Sequence, residues 1–288
     1  MLADWLSQTV ASPIGQAIGA WNRDRGNFSA EFLFPSLGIL SLEVLQHLSS
    51  MRPWWISLAL CFAIMSCQTA ISDPTNAAAI TPTSAYRSDS IAGFTVLFNP
   101  EVLKHPKEAK ALRQELQSQL SAITRVLPAK PLNKLKKVRI WVEWQRKVNG
   151  AAEFHPSADW LRQNGYNPDK AGGVELSNTR NFVQWSQTDQ PWMVLHELAH
   201  AYHFLVVGYG NSEIQAAYQN ILDRQLYKSV AYVRGGKKPA YALTDDKEYF
   251  AEISEAYFGK NDFYPFNRAE LKKYDPVGYQ LMEKMWQK

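Results

Sequence analysis

His196-Glu197-Leu198-Ala199-His200 is the part of this chain whose residue types and spacing can do chemistry. Histidines four residues apart on a helix share one face, so both imidazoles can reach a single zinc ion, and the glutamate between them can lie beside a water held there. The expected chemistry is hydrolysis of a peptide bond by metal-activated water, with Glu197 as general base. The surroundings predict a core helix: Met193, Val194, Leu195, Leu198, Ala199, Ala201, Tyr202, Phe204 and Leu205 are apolar, and no Gly or Pro intervenes before Gly208. Imidazoles and a carboxylate in such a helix are costly without partners, and a metal supplies one.

A catalytic zinc usually takes three protein ligands and keeps one position open, so a third must lie elsewhere. His203 is carried along the helix away from the pair and is expected to be structural, and Val206 stands where an extended three-histidine motif would have its last ligand. The segment Tyr241 to Glu252 offers more. Thr244 or Asp245 can cap a helix on which Glu248, Glu252 and Glu255 recur on one face, while Tyr249, Phe250, Ile253, Tyr257 and Phe258 make it apolar. Stacked acids on a packed helix repel each other unless a cation faces them. Glu248 is therefore the expected third ligand, Glu252 the acid that orients a ligating histidine through its other ring nitrogen, and Glu255 a partly exposed acid.

Three short stretches carry a resemblance: Gly173-Val174-Glu175-Leu176-Ser177-Asn178, His196 to His200, and Tyr241 followed seven residues later by Glu248-Tyr-Phe-Ala-Glu252. In their order and last spacing they resemble the gluzincin zinc metallopeptidases, and more narrowly the catalytic domain of anthrax lethal factor and its relatives. The resemblance covers at most about residues 91 to 288, and the stretches that carry it lie within 172 to 258. It implies that His196, His200 and Glu248 bind zinc, that Glu197 is the base, that Tyr241 stabilises the oxyanion, and that the strand from Val174 to Leu176 borders the substrate groove. The toxin's receptor-binding and translocation parts have no counterpart here.

The elements that must position these residues are legible as a pattern. Phe94 to Phe98 and Val138 to Trp144 read as strands, Pro106 to Val126 as a long amphipathic helix, and Val174 to Leu176 as a further strand. Helices are expected from about Gln190 onward, including one near Ser212 to Tyr227 and one near Asn267 to Trp286. Strands and a helix first, active-site helices afterwards, make an α+β order, expected to be a zincin-like domain over 91 to 288 with a small mixed sheet and a helical C-terminal half.

The other end of the chain bears on where the enzyme works. The apolar run from Trp54 to Ser66 follows Met51-Arg52-Pro53 and is short for a membrane span, so 51 to 67 is expected to be an export signal. Ile64-Met65-Ser66-Cys67 resembles a lipobox, with Cys67 as the lipid-anchored N-terminus of an envelope lipoprotein; free secretion is the alternative. Residues 1 to 50 are expected to be a leader extension or a start called too early, and 68 to 90, rich in Thr, Pro, Ala and Ser, a flexible linker. Both cysteines, Cys61 and Cys67, fall in the signal, so the domain needs a hydrophobic core and no disulfide.

The formal charge of +4 adds little, and no nucleic-acid motif accompanies the basic stretches 130–137 and 234–238. The expected partner is a peptide or protein substrate. Two other functions fit the same residues: an aminopeptidase, for which Glu175 is the nearby acid to hold a free amine, and a catalytically silent, zinc-stabilised envelope binding protein. His155 is expected in a surface turn after an edge strand ending near Phe154; His47 and His105 are assigned no role.

Overall fold

β1 (Arg87–Ile91) and β2 (Phe94–Phe98) form a hairpin with Ile91 opposite Phe94, so only Ala92 and Gly93 make the turn. Their φ values of 50° and 86° are both left-handed, as the two-residue turn that matches strand twist requires. The computed structural model describes residues 80–288. The expected leader, the export signal with Cys67 and the first part of the linker lie outside the described residues. The last part of that linker is not a tether, because β1 occupies it and Tyr86 is buried against Trp141 at a ring separation of 4.9 Å. Most of β1 is solvent-exposed, so it carries no apolar alternation to read.

β2 runs parallel to β3 (Ile140–Val142), β3 parallel to β5 (Val174–Leu176), and β5 antiparallel to β4 (Glu153–Phe154), in the order β1-β2-β3-β5-β4. The parallel crossover from β2 to β3 is made by α1 (Pro100–Leu103), α2 (Pro106–Val126) and α3 (Ala129–Leu135). Leu112, Leu116, Leu120 and Ile123 of α2 join Val96, Phe98, Ile140, Val142, Val174 and Leu176 in the main core. The opposite sheet face carries a smaller cluster and a buried polar network. There Glu143 accepts from Tyr86 Oη at 2.5 Å, Asn99 Nδ2 at 2.7 Å and Lys170 Nζ at 2.6 Å.

The remaining elements are α4 (Ala158–Gln163), α5 (Thr179–Thr188), α6 (Met193–Tyr202), α7 (Ser212–Asp223), a small hairpin of β6 (Val230–Ala231) and β7 (Lys237–Lys238), α8 (Asp246–Phe258), α9 (Arg268–Tyr274) and α10 (Pro276–Met285). The architecture is mixed α+β. Four boundaries differ from the sequence expectation, the first being β3, which spans Ile140–Val142 rather than the expected Val138 to Trp144. The helix-dominated half begins at Thr179 rather than near Gln190, since Asn178 caps α5 by accepting from the backbone N–H groups of Arg180 and Asn181. The single helix expected near Asn267 to Trp286 is two, broken at Pro276, with Asp275 capping the second through Gly278 N at 2.9 Å. The helix expected to reach Tyr227 stops at Asp223, before Gln225 and Tyr227 take left-handed φ values of 55° and 65°. Among the described residues no helix is long and apolar enough to cross a membrane.

Candidate metal centre

α6 has no capping side chain of its own at its start. Gln119 of α2 takes that role: its Oε1 accepts from Val194 N at 3.0 Å while its amide donates to Ser186 Oγ of α5 at 2.9 Å. α8 is capped locally by Asp245, which accepts from Lys247 N at 2.8 Å and Glu248 N at 3.0 Å. The two helices are then locked in register by a close approach. Gly259, at the end of α8, faces the ring of Trp192, the residue before α6, and a Cβ there would lie 2.1 Å from it. Only glycine allows that contact.

The crossing of α6 and α8 brings three donor atoms together. His196 Nε2 lies 3.1 Å from Glu248 Oε2 and 3.2 Å from His200 Nε2, and His200 Nε2 lies 3.3 Å from Glu248 Oε2. Tetrahedral zinc with bonds of about 2.0–2.1 Å separates its donor atoms by about 3.3–3.4 Å, so this triangle is close to one face of such a site. Two imidazoles and one carboxylate are also a donor set that zinc accepts. The pair of helices buries the triangle almost fully, with His196 at 4 % and His200 at 9 % exposure.

The acid behind His196 is Glu255. Its Oε1 is 2.7 Å from His196 Nδ1, so that nitrogen donates its proton there and Nε2 keeps the lone pair a metal needs. Glu252, the expected partner, is 4.0 Å away and accepts from Asn261 Nδ2 at 3.2 Å instead. Glu255 is also buried, not the partly exposed acid expected. Burial opposes charge on His196, but hydrogen bonds to Glu248 and Glu255 outweigh it and hold the imidazole well above its usual pKa. Burial would likewise raise Glu248; the two histidines overcome it and keep the carboxyl far below the usual range.

Glu197 is buried beside this triangle. Its carboxyl is raised by desolvation, against the pull of His196 and His200 and with the added field of Glu248 and Glu153. A carboxylate shifted this way accepts a proton more readily, as a general base must. Tyr241 sits on a 3-10 turn, Tyr241–Leu243, with its ring centroid 6.3 Å from that of His196. Tyr218 steadies the turn by donating to Leu243 O at 2.8 Å.

α6 ends differently from a plain helix. From His203 to Val207 the backbone widens into a π turn, closed by Gly208 at φ 91°. His203 is fully buried between Tyr209 and Phe250, at ring separations of 4.9 and 5.0 Å, and burial pushes it down to about 4, so it is a neutral packing residue. Tyr209, not singled out in the sequence, packs its ring against His203 and Phe204, and burial first, then the charges of Glu248, Asp245 and Glu197, raise its phenol. Its place between Gly208 and Gly210 was the only local signal.

Val174 and Leu176 are fully buried in an inner strand and do not rim a groove; the edge beside α6 is β4. Both side chains project to the sheet face that packs in the main core, where α6 lies against β5. His155 is no surface residue either. It is 1 % exposed and 2.7 Å from Glu175 Oε2, and Lys170 Nζ holds the other oxygen at 3.0 Å. Each Glu175 oxygen thus faces a basic group, His155 through a hydrogen bond and Lys170 through an ion pair. No protein family, curated protein or solved structure matches this chain.

Proposed function

We propose that the domain is a zinc-dependent peptidase of the gluzincin type, with a zincin-like fold, resembling the catalytic domain of anthrax lethal factor. The observation that carries this reading is the triangle of His196 Nε2, His200 Nε2 and Glu248 Oε2, with sides of 3.1 to 3.3 Å, next to the buried Glu197. Zinc bound there would polarise a substrate carbonyl and bring the pKa of a water molecule towards neutrality.

The remaining work falls to this chain's own groups. Glu197 accepts the attacking water's proton and delivers it to the leaving nitrogen; its raised pKa suits both halves of that transfer. Tyr241 donates to the carbonyl oxygen as negative charge develops. Glu255 keeps His196 in the ligating tautomer. An extended peptide alongside β4 would meet that strand's outward backbone groups. Export rests on the apolar segment 54–66 and Cys67, which would put the enzyme in the cell envelope or the medium.

Elemental analysis of the full chain tests the ligand set: one zinc per wild-type chain is expected, lost in Glu248→Ala and retained in Glu197→Gln. On a peptide library, Glu197→Gln is expected to lose about 10²–10⁴ in kcat. Zinc retained in Glu248→Ala removes the third ligand; zinc bound with no hydrolysis of any peptide favours the silent binding protein.

A further inference from the structure

An apolar groove lies between the segment that carries α3 and the π turn that ends α6. Leu135 and Val138 line it from the first, Leu205 and Val206 from the second, around a cavity of about 270 Å³, and Lys134 and Lys137 border it. Leu205 is 53 % exposed, although every residue of α6 before the π turn is buried. A lone exposed leucine is ordinary; one that continues an apolar groove marks a contact surface. The groove shares no residue with the metal triangle, so its role is independent of the peptidase reading.

The charge beside it has one sign. From Leu116 to Val142 the chain has no Asp or Glu and six Lys or Arg residues. Lys130 and Lys134 lie one turn apart on α3, and Lys137 follows in the next turn, so the three share one side of the segment. All three are solvent-exposed, and among the described residues none forms an ion pair with an Asp or Glu. Lys134 Nζ donates instead to Lys288 O at 3.4 Å.

We propose that this surface docks the domain on an anionic phospholipid bilayer, with Leu205 entering the head-group region and Lys130, Lys134 and Lys137 meeting lipid phosphates. A bilayer offers negative head groups directly above apolar chains, the same order in which the groove presents lysines and then aliphatic side chains. Lysines suit that target, because a mobile point charge follows a diffuse field, whereas recognition of a protein carboxylate favours the fixed fork of arginine. A second copy fits worse: a two-fold contact would set this basic rim against itself.

The test is vesicle sedimentation of the full chain, using phosphatidylcholine alone and phosphatidylcholine with about 30 % phosphatidylglycerol, at low salt. The apolar segment 54–66 contributes to binding of both, so the ratio of the two affinities is the readout. At about fivefold for each lysine near the surface, a preference of about a hundredfold for the anionic vesicles is expected, cut about 25-fold in the Lys134→Gln, Lys137→Gln double variant. Leu205→Ala is expected to weaken binding to the anionic vesicles by about tenfold. Equal affinity for the two vesicles, or a preference unchanged in the double variant, overturns the assignment. Hydrogen exchange locates the contact on the wild-type chain: slower exchange over 129–138 and 203–208 with anionic vesicles supports it, and slowing confined to other segments overturns it. Slowing of the same two segments with rising protein concentration and no vesicles assigns the groove to a second copy and overturns it as well.

Discussion

Glu255 Oε1 lies 2.7 Å from His196 Nδ1, while Glu252, three residues earlier on the same helix, is 4.0 Å away. The acid that fixes the imidazole is thus the last of the three on α8. Partners of this kind are worth about 10–100-fold in metal affinity. Glu255→Ala is expected to weaken zinc binding by about that factor, and Glu252→Ala by less, in a competition titration with a chromophoric chelator. The reverse order would return the role to Glu252.

The pH dependence follows from His196. Its folded pKa is raised above the ordinary value near 6.5, so in metal-free protein the imidazolium contributes stability fully present below about pH 6.5 and lost as pH rises through the folded value. Zinc must displace that proton, so its affinity rises with pH over the same range. Thermal melts are expected to show the metal-free Tm falling above about pH 6.5 and the zinc-induced gain in Tm increasing. A metal-free Tm that climbs through that window would contradict the assignment.

Glu175 contributes at the acid end. Burial would raise its carboxyl, but the hydrogen bond from His155 and the charge of Lys170 hold it down at about 2. Its contribution is present above the ordinary carboxyl range and is lost as pH falls towards 2. Glu175→Ala leaves Lys170 and His155 buried without it and is expected to cost about 3–5 kcal/mol in urea unfolding at neutral pH. A loss under about 1 kcal/mol, the range of an exposed pair, would mean that water reaches this network.

Gly259 is the contact that registers α8 against Trp192 and hence against α6. Gly259→Ala forces the indole or the helix end to move. The expected cost is about 1–3 kcal/mol of stability. Because the shift separates Glu248 from the histidine pair, zinc affinity is expected to fall with it, measurable in the same chelator titration. Stability lost with zinc affinity unchanged would show that Trp192 yields and the helices stay.

Much of the site was legible because it is local. The face shared by His196 and His200, the stacked acids of α8 and the cap at Asp245 follow from helical periodicity and from side chains reaching their own backbone two or three residues on. The apolar periodicity of α2 and the strand at Phe94–Phe98 belong to the same class. β1 escaped because its exposed side chains leave no pattern, and the break at Pro276 was hidden inside a periodic segment that α9 and α10 continue on either side.

What only the tertiary structure decided are pairings across long stretches of chain. Which acid meets His196 Nδ1 depends on how α8 rotates against α6, a bond between residues 59 apart in sequence, and periodicity places Glu252 and Glu255 on that face alike. Which strand forms the edge depends on sheet order, which put β4 outside β5, and packing on the sheet face buried Val174 and Leu176. The sequence by itself determined the chemistry available, because metal ligation and proton transfer need particular side chains at particular helical spacings. Packing decided which of several equivalent groups took each role.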